Sequence, residues 1–329
     1  MRVFSNQHFT ALYFQMLTEY LRSNLPVVDS RLGPVRDMGP TVFEMGQDGN
    51  RLLVLKERGF NPFFALAEAS WVLAGTRDVK LLETFVSKMS KYSDDGVTLH
   101  GAYGFRMRKK YHTDQLERAI SLLRDDPNSR RVVVTLWDID DLGSNSKDLP
   151  CNVMFFVKVR SSRLDLTVCN RSNDLYLGVP YDVLTFNVIQ RYLAGKLKLS
   201  IGTQVHFTDS LHVYLANDKD VKKIVAVNKK QQLDSLMDAL PCLDLDGYSQ
   251  SDHLSLIHSA TEPAPEENSA LTLRNSFVRW LKGHRKEALM SLPATDGGYA
   301  AALWYIQTKG SDLSLFPEWI LKLETLRGG

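Results

Sequence analysis

Residues 169–182 decide the fold, and they read CNRSNDLYLGVPYD. The segment before them, Leu164 to Val168, alternates apolar and polar residues, as a half-buried strand does. The segment after them, Val183 to Ala194, spaces its apolar residues with the period of a helix. The quoted stretch therefore connects a strand to a helix, and its charged and amide side chains lie at that junction.

Other segments show the same two periods. Strands are predicted for β-branched or alternating runs, and helices for apolar residues spaced three and four apart. The predicted strands are an extended segment through Val42 and Phe43, Arg51 to Leu55, Val132 to Leu136, Val153 to Val159, Lys196 to Ile201 and Thr203 to Phe207. The predicted helices are Gln7 to Arg22, Asn61 to Leu73 and Thr113 to Leu123. This mixture predicts an α/β or α+β fold with a mixed sheet and packed helices.

Composition excludes several classes of protein. With 329 residues and 44% hydrophobic residues the chain can bury a full core, and a net charge of +2 provides no whole-molecule basic field for a nucleic-acid partner. Three scattered cysteines are too few for a disulfide framework or a C-x-x-C metal site, so no metal is expected. No run of about 18 apolar residues predicts a membrane span. A reducing cytoplasm is the expected location.

A second motif, Pro150-Cys151, lies between a loop rich in Gly, Ser and Asn and a hydrophobic strand. That position would place a thiol at a strand start, facing a cleft. Taken alone the motif favours a structural role, because a lone cysteine usually behaves as a small buried apolar residue.

Taken together, the motifs resemble the thymidylate synthase family. The family pattern is Pro-Cys, then Arg-Ser-x-Asp, then Leu-Gly-x-Pro-aromatic-Asn, then a segment ending in His-x-Tyr, and the chain keeps its order and spacing. The matching segments are Pro150-Cys151, Arg171-Ser172-Asn173-Asp174, Leu177-Gly178-Val179-Pro180-Tyr181-Asp182 and Asp209-Ser210-Leu211-His212-Val213-Tyr214, with Glu68-Ala69-Ser70-Trp71, Gly101-Ala102-Tyr103-Gly104 and Ser129-Arg130-Arg131 upstream. The resemblance covers roughly Pro26 to Asp220.

The resemblance implies a thymidylate synthase-like catalytic domain over residues 1–260. Residues 261–329 then form a linker and a helical C-terminal extension. Thr261 to Ala270 has no apolar period, whereas helical spacing returns in Leu271 to Leu292, Tyr299 to Gln307 and Pro317 to Leu326.

The resemblance also implies a nucleotide monophosphate site. Guanidinium groups, which can donate two hydrogen bonds at once, and a hydroxyl suit the binding of a phosphate dianion. The resemblance assigns this phosphate binding to Arg130, Arg131, Arg171 and Ser172. The Arg130-Arg131 pair reaches across a homodimer interface in this family, and Arg31 or Arg36 adds a phosphate contact, with Arg36 preferred. By the same resemblance, His212 and Tyr214 bind the sugar hydroxyl. The implied nucleotide-binding set also contains Asn173, Asp174 and Asp182.

The implied chemistry begins with the Cys151 thiolate, which adds to C6 of a pyrimidine so that C5 becomes nucleophilic. C5 then takes the methylene group of 5,10-methylenetetrahydrofolate. Nearby arginines are expected to favour the thiolate. Glu68 moves protons around the base, and Tyr103 and Asp182 complete the catalytic set. The implied folate-binding residues are Asp174, Leu177, Gly178 and Tyr181.

Three departures from the synthase pattern indicate a different product. Asp182 replaces the asparagine of synthases that act on uracil, and a carboxyl can accept from N4 of cytosine and, when protonated, donate to N3. Asn152 stands where synthases usually carry histidine. No tryptophan lies between Thr76 and Ala102 to shield the methylene from water. The sequence therefore predicts a deoxycytidylate (dCMP) 5-hydroxymethyltransferase of the phage hydroxymethylase type, located in the host cytoplasm if phage-encoded.

Alternatives remain at this stage. The same residues fit a CMP hydroxymethylase, a dCMP C5-methyltransferase or a thymidylate synthase. From a different class, the chain could be a non-catalytic regulator that binds a nucleotide or RNA. Retention of Cys151, Glu68, Asp174 and His212 favours an enzyme.

Overall fold

The structure is a computed structural model that describes residues 1–47, 51, 53–230 and 233. Its strands are β1 (Arg2–Asn6), β2 (Val27–Val28), β3 (Val35–Met45), β4 (Val133–Thr135), β5 (Asn152–Arg160), β6 (Arg163–Asn170), β7 (Asn173–Asp174) and β8 (Ser200–Tyr214). Its α-helices are α1 (Phe9–Arg22), α2 (Pro62–Leu73), α3 (Lys80–Phe85), α4 (Tyr103–Phe105), α5 (Gln115–Asp125), α6 (Val179–Leu197) and α7 (Asp218–Val227). A π-helical turn covers Arg106–Lys110, and 3₁₀ turns cover Met89–Tyr92, Ile139–Asp141 and Leu215–Asn217.

One mixed sheet organises the described residues, in the order β1-β3-β8-β6-β5-β4. The β1–β3 and β6–β8 pairs are parallel, whereas β3–β8, β5–β6 and β4–β5 are antiparallel. The predicted α/β fold with a mixed sheet and packed helices is therefore confirmed.

The core lies between the sheet and its helices. A row of buried side chains crosses four strands, from Phe43 through His206 and Val168 to Phe155. The His206 ring stacks on Phe43 at 4.9 Å between centroids, and Phe186 of α6 meets it edge-on at 5.9 Å. Helix α6 therefore covers this face of the sheet, and its first turn lies at the ends of β5 and β6.

One strand prediction was wrong, and a second was wrong in part. The segment Arg51 to Leu55 is not a strand in its described residues, although Leu53, Val54 and Leu55 are buried, because the backbone N–H of Val54 donates to the Thr10 hydroxyl instead of a neighbouring strand. Its apolar character reflects a buried loop.

The strand predicted at Thr203 to Phe207 is part of β8, as expected. Of the strand predicted at Lys196 to Ile201, only Ser200 and Ile201 belong to β8, and residues 196–197 belong to the end of α6. Gly202 does not interrupt β8. A Cβ at this position would lie 2.0 Å from Asp165 Oδ1, so the glycine permits a close side-chain approach.

Helix boundaries were predicted more closely, because local capping chemistry marks them. Asn61 caps α2 by accepting the N–H of Phe64 at 3.1 Å, and Pro62 follows in the first turn. Gly104 permits α4 to lie against α2, since a Cβ there would come 2.0 Å from the Val72 carbonyl. The predicted linker, the helices after it and the boundary at 260 lie outside the described residues.

Candidate active site

Cys151 immediately precedes β5 and is held by the segment that follows β6. The Arg171 guanidinium donates to the Pro150 carbonyl at 2.9 Å and to the Leu149 carbonyl at 3.3 Å, while the Arg171 N–H donates to the Cys151 carbonyl at 3.0 Å. Arg171 Nη2 and the Ser172 hydroxyl each lie 3.9 Å from Cys151 Sγ. Two donors are therefore directed at the sulfur.

Burial of Cys151 affects the pKa of its thiol more than these two donors do. Desolvation raises the pKa of the thiol above its ordinary value, while Arg171 and Ser172 act in the opposite direction. The expected effect of Arg171 is present, but burial outweighs it, so the thiol form of Cys151 is favoured over the thiolate.

Asp182 lies in the first turn of α6 between two amides. Asn173 Nδ2 donates to Asp182 Oδ2 at 2.7 Å, and Asn152 Nδ2 donates to Oδ1 at 3.3 Å. Burial raises the pKa of Asp182 to about 6, and these two hydrogen bonds oppose the rise. We call Asn152, Asn173 and Asp182 the amide clamp.

Gly178 makes the amide clamp possible. A Cβ at this position would lie 2.5 Å from Asn173 Oδ1, so only glycine lets the Asn173 side chain lie over the start of α6. Gly178, which the resemblance assigns to the folate site, therefore permits close approach by the Asn173 side chain.

A cavity beside Cys151 brings the predicted catalytic residues together. Its lining residues are Glu68, Trp71, Val72, Leu82, Met89, Leu99, Gly101, Ala102, Tyr103, Asp148, Leu149, Pro150, Cys151, Asp182 and Thr185. Burial, and then the nearby Asp182 carboxyl, raise the pKa of Glu68 to about 8. Burial also raises the pKa of the Tyr103 hydroxyl, which bonds to Asn152. At neutral pH this cavity therefore holds protons on Glu68 and Tyr103.

The predicted folate-binding residues lie between β7 and the first turn of α6, and they are not among the residues that line the Cys151 cavity. Asp174 Oδ1 accepts the N–H groups of Tyr176 at 2.8 Å and Leu177 at 3.0 Å, whereas the buried Oδ2 has no hydrogen-bond partner among the described residues. Tyr181 packs in an aromatic cluster, with Phe60 at 4.9 Å and Phe64 at 5.2 Å between centroids. An unpaired carboxylate oxygen next to aromatic surface suits a flat heterocycle that carries N–H donors, such as a pterin. These residues fit a folate.

His212 and Tyr214 occupy alternate positions near the end of β8, with ring centroids 5.5 Å apart. They face the same side of the sheet, because alternate residues of a strand do so. Arg31 lies near the Tyr214 hydroxyl. Its guanidinium donates to the carbonyls of Ser146 at 2.9 Å and Lys147 at 2.6 Å. It therefore adjoins the segment that leads to Cys151.

Arg36 has different partners. Its guanidinium pairs with Asp218 at 3.2 Å, and Asp218 also accepts the Tyr20 hydroxyl. These contacts connect β3 to α7 and α1. The preference for Arg36 as a phosphate ligand gains no support from this position.

Arg130 and Arg131 do not line the Cys151 cavity and are exposed. The Arg131 guanidinium lies 4.0 Å from Asp126, with 76% of the side chain accessible. They lie just before β4, the edge strand of the sheet.

Two polar residues of the site escaped the sequence analysis. Asp148 lines the cavity three residues before Cys151, and that spacing was the available signal. Arg58 is buried near Asp174 and Tyr181, where it donates to the Tyr13 hydroxyl at 3.1 Å and lies 4.3 Å from the centre of the Tyr176 ring. No sequence motif marks Arg58.

Among the described residues no group of three or more His, Cys, Asp or Glu side chains could hold a metal ion. The helices in the same part of the chain include none that combines the length and apolar character needed to cross a membrane.

Known proteins are similar to this chain in sequence. The family model described as thymidylate synthase matches residues 42–275. The deoxyuridylate hydroxymethyltransferase of Pseudomonas phage M6 is 40% identical over 190 residues, which are 56% of this chain and 54% of the relative. The protein of the same name from Bacillus phage SP01 is 33% identical over 246 residues, 69% of this chain and 64% of the relative.

A thymidylate synthase from Corynebacterium aurimucosum is 28% identical over 164 residues, 48% of this chain and 61% of the relative. The chain spans between about half and two thirds of the length of these relatives. The expected cosubstrate, methylenetetrahydrofolate, is the one-carbon donor of this family. The family match over most of the chain, together with the cavity around Cys151, shows that the chain belongs to the thymidylate synthase family.

Proposed function

We propose that the protein transfers a hydroxymethyl group from 5,10-methylenetetrahydrofolate to C5 of dCMP and releases tetrahydrofolate. The observation that carries the proposal is the amide clamp. Its central residue, Asp182, places a buried carboxyl at the position where synthases acting on uracil carry an amide. The proposal is supported by the absence of tryptophan between Thr76 and Ala102, because the residues of this stretch that line the cavity include Leu82, Met89 and Leu99 but no indole.

The proton on Asp182 links the clamp to the base. Both carboxylate oxygens already accept from amides, so the remaining lone pairs suit the N4 amino group of cytosine. The N3 atom of cytosine needs a proton between it and the second oxygen. Because N3 is itself basic, the proton can rest on either partner. With uracil the proton must remain on Asp182, which makes cytosine the favoured base.

The residues divide the reaction between them. Arg171 and Ser172, which face the sulfur, direct the Cys151 thiolate at C6. The bound folate supplies a carbon at the formaldehyde level. Glu68, with its pKa raised to about 8, donates and accepts protons at the base. His212 and Tyr214 bind the sugar, and Arg171 with Arg31 binds the phosphate.

A deoxyuridylate substrate is the second candidate. It is favoured by the names of the relatives from phages M6 and SP01, both deoxyuridylate hydroxymethyltransferases. A protonated Asp182 could donate to O4 and accept from N3–H. CMP, methyl transfer and a binding role without catalysis are further outcomes that the experiment below distinguishes.

We also propose a homodimer in which each chain completes the other's phosphate site. Exposure of Arg130 and Arg131 outside the cavity supports this, because exposed guanidinium groups beside an edge strand are available to a second copy. Mixing inactive Cys151→Ala with inactive Arg131→Ala protein should restore activity. If the mixture stays inactive, the shared site is refuted.

The experiment supplies dCMP, CMP and dUMP separately with methylenetetrahydrofolate and identifies both products by mass. We expect dCMP to gain one formaldehyde unit while tetrahydrofolate appears. Reaction of dUMP alone would establish the second candidate. Dihydrofolate would mean methyl transfer, and no reaction with any nucleotide would favour a binding role.

A further inference from the structure

Asp148 is an acidic group in the wall of the Cys151 cavity. It shares the cavity with Leu82, Met89 and Leu99, which come from the stretch that lacks tryptophan. Trp71 also lines the cavity, but its indole N–H is bound to the Asp78 carbonyl at 2.7 Å. A water molecule in this part of the cavity has the Asp148 carboxylate in the lining as a hydrogen-bond acceptor.

The contacts of Asp148 leave one oxygen for such a water. Oδ2 accepts the N–H of Gly101 at 2.7 Å, which fixes the carboxyl at the cavity wall. No hydrogen bond to Oδ1 is present among the described residues. A Cβ on Gly101 would lie 3.2 Å from Oδ1 and 2.9 Å from the Asp148 carbonyl, so a glycine is needed for this approach.

The charged form of Asp148 has more stabilising neighbours than the charged form of Glu68. Burial raises the pKa of Asp148, but the Gly101 N–H and the nearby His100 and Arg106 oppose the rise, with Asp94 acting weakly the other way. Glu68 has no such support, and its pKa lies near 8. The Gly101 N–H, His100 and Arg106 favour the charged form of Asp148, and the same cavity holds Glu68, whose proton is retained to about pH 8. This difference in surroundings suits Asp148 to the role of a base and Glu68 to the role of an acid.

We infer that Asp148 is the general base that activates the water added to the one-carbon unit. The inference rests on the proposed hydroxymethyl transfer, because methyl transfer needs no such water. It assigns the two carboxyls different steps: Glu68 serves proton transfers at the base before the folate leaves, and Asp148 serves the hydration that follows.

The hydration step balances without an oxidant or a reductant. Before it, the nucleotide carries an exocyclic methylene at C5 and the Cys151 sulfur at C6. The water oxygen bonds to the methylene carbon, the water proton passes to Asp148 Oδ1, and the π electrons of the exocyclic bond move into the ring toward C4. When they return to form the C5–C6 double bond, the C6–S bond breaks and thiolate leaves. Asp148 then releases its proton to solvent.

The test compares Asp148→Asn with Asp140→Asn, which removes the same charge from an exposed residue of the preceding segment. The amide oxygen introduced by Asp148→Asn can still accept from Gly101, so the fold is expected to persist. Each protein receives nucleotide tritiated at C5 with methylenetetrahydrofolate, and tritium release, hydroxymethyl product and a thioether formed with added 2-mercaptoethanol are measured separately.

For Asp148→Asn we expect product formation to fall about 100-fold, while tritium release in the first turnover changes by less than about threefold and the thioether becomes the main product. Asp140→Asn should match the parent in all three measurements. Unchanged product formation, or a parallel fall in tritium release and product, would overturn the inference. If the parent itself releases no tritium, the proposed function has failed rather than the role of Asp148.

If Asp148→Asn does not fold, Asp148→Glu provides the measurement. It keeps a carboxylate at a displaced position, so the ratio of thioether to hydroxymethyl product should rise at least about threefold over the parent. An unchanged ratio would count against the inference.

Discussion

The floor of the active site and its rim use opposite electrostatics. The floor, formed by Glu68, Tyr103 and Asp182, is desolvated, and burial raises the pKa of each group. The rim, formed by Arg31, Arg171 and Ser172 around Cys151, presents donors tied to backbone carbonyls or to one another. Groups that hold and release protons suit chemistry at a base, whereas permanent charge suits phosphate binding. Substitutions on the floor should therefore change rate and base choice, and substitutions on the rim should change affinity.

The largest effect is expected from Glu68→Gln. The amide cannot exchange protons with the base, so turnover should fall by about 100- to 10,000-fold, while the dissociation constant of the nucleotide changes by less than about threefold. Single-turnover product formation and equilibrium binding measure the two quantities. A large loss of affinity at an unchanged rate would reverse the proposed division of labour.

Next in size is the change of base preference in Asp182→Asn. An amide donates to O4 and accepts from N3–H of uracil without taking up a proton, so kcat/KM for dUMP relative to dCMP should rise about 10- to 100-fold. In the parent, dCMP affinity should weaken as pH rises above about 6, because binding needs the proton. That pH dependence should disappear in the variant. An unchanged preference would remove Asp182 from base selection.

On the rim, Arg31→Ala and Arg36→Ala form a matched pair from one segment. Loss of a charge-assisted phosphate contact in Arg31→Ala should raise KM for the nucleotide about 10- to 100-fold with kcat nearly constant. Arg36→Ala removes a partly exposed ion pair with Asp218 and should change KM by less than about threefold. Steady-state kinetics measures KM for the nucleotide in both variants. A large rise in KM for Arg36→Ala with little change for Arg31→Ala would show that Arg36 is the phosphate ligand.

The smallest effect concerns stability. Because the folded-state pKa of Glu68 lies near 8, the native state holds its proton more tightly than the unfolded chain does, and stability falls as pH rises from about 4.5 through 8. Glu68→Gln removes this loss, so its Tm should exceed that of the parent by on the order of 5 °C at pH 8.5 and by much less at pH 5. Thermal unfolding followed by circular dichroism measures the difference. An equal gain at both pH values would show that Glu68 is not desolvated.

Local chemistry explains how much the sequence could predict. Arg171 and Ser172 are neighbours of Cys151. Their motif directly follows β6, which pairs in fixed register with β5 directly after Cys151, so the contact with the thiol was predictable. Asp182 was identified because it departs from a motif. The choice between Arg31 and Arg36 was not accessible, since both lie in one segment and only tertiary contacts with Ser146 or Asp218 separate them.

Residues without a motif were missed for a related reason. Arg58 and Asp148 acquire their position from packing against residues distant in sequence or from a turn, and neither leaves a periodic signal. The apolar run Leu53 to Leu55 was wrongly predicted to be a strand. Its apolar residues indicate burial, but burial alone does not specify that the backbone pairs with a neighbouring strand.

The most direct test of the account asks whether Cys151 bonds to the pyrimidine. The protein is incubated with a 5-fluoro pyrimidine deoxynucleotide and methylenetetrahydrofolate, because fluorine cannot leave C5 as the proton does, and the modified peptide is identified by mass spectrometry. We expect an adduct of nucleotide and folate on Cys151, and none in Cys151→Ala protein. No adduct on the parent, or an adduct that persists in Cys151→Ala on another residue such as Cys169, would contradict the account.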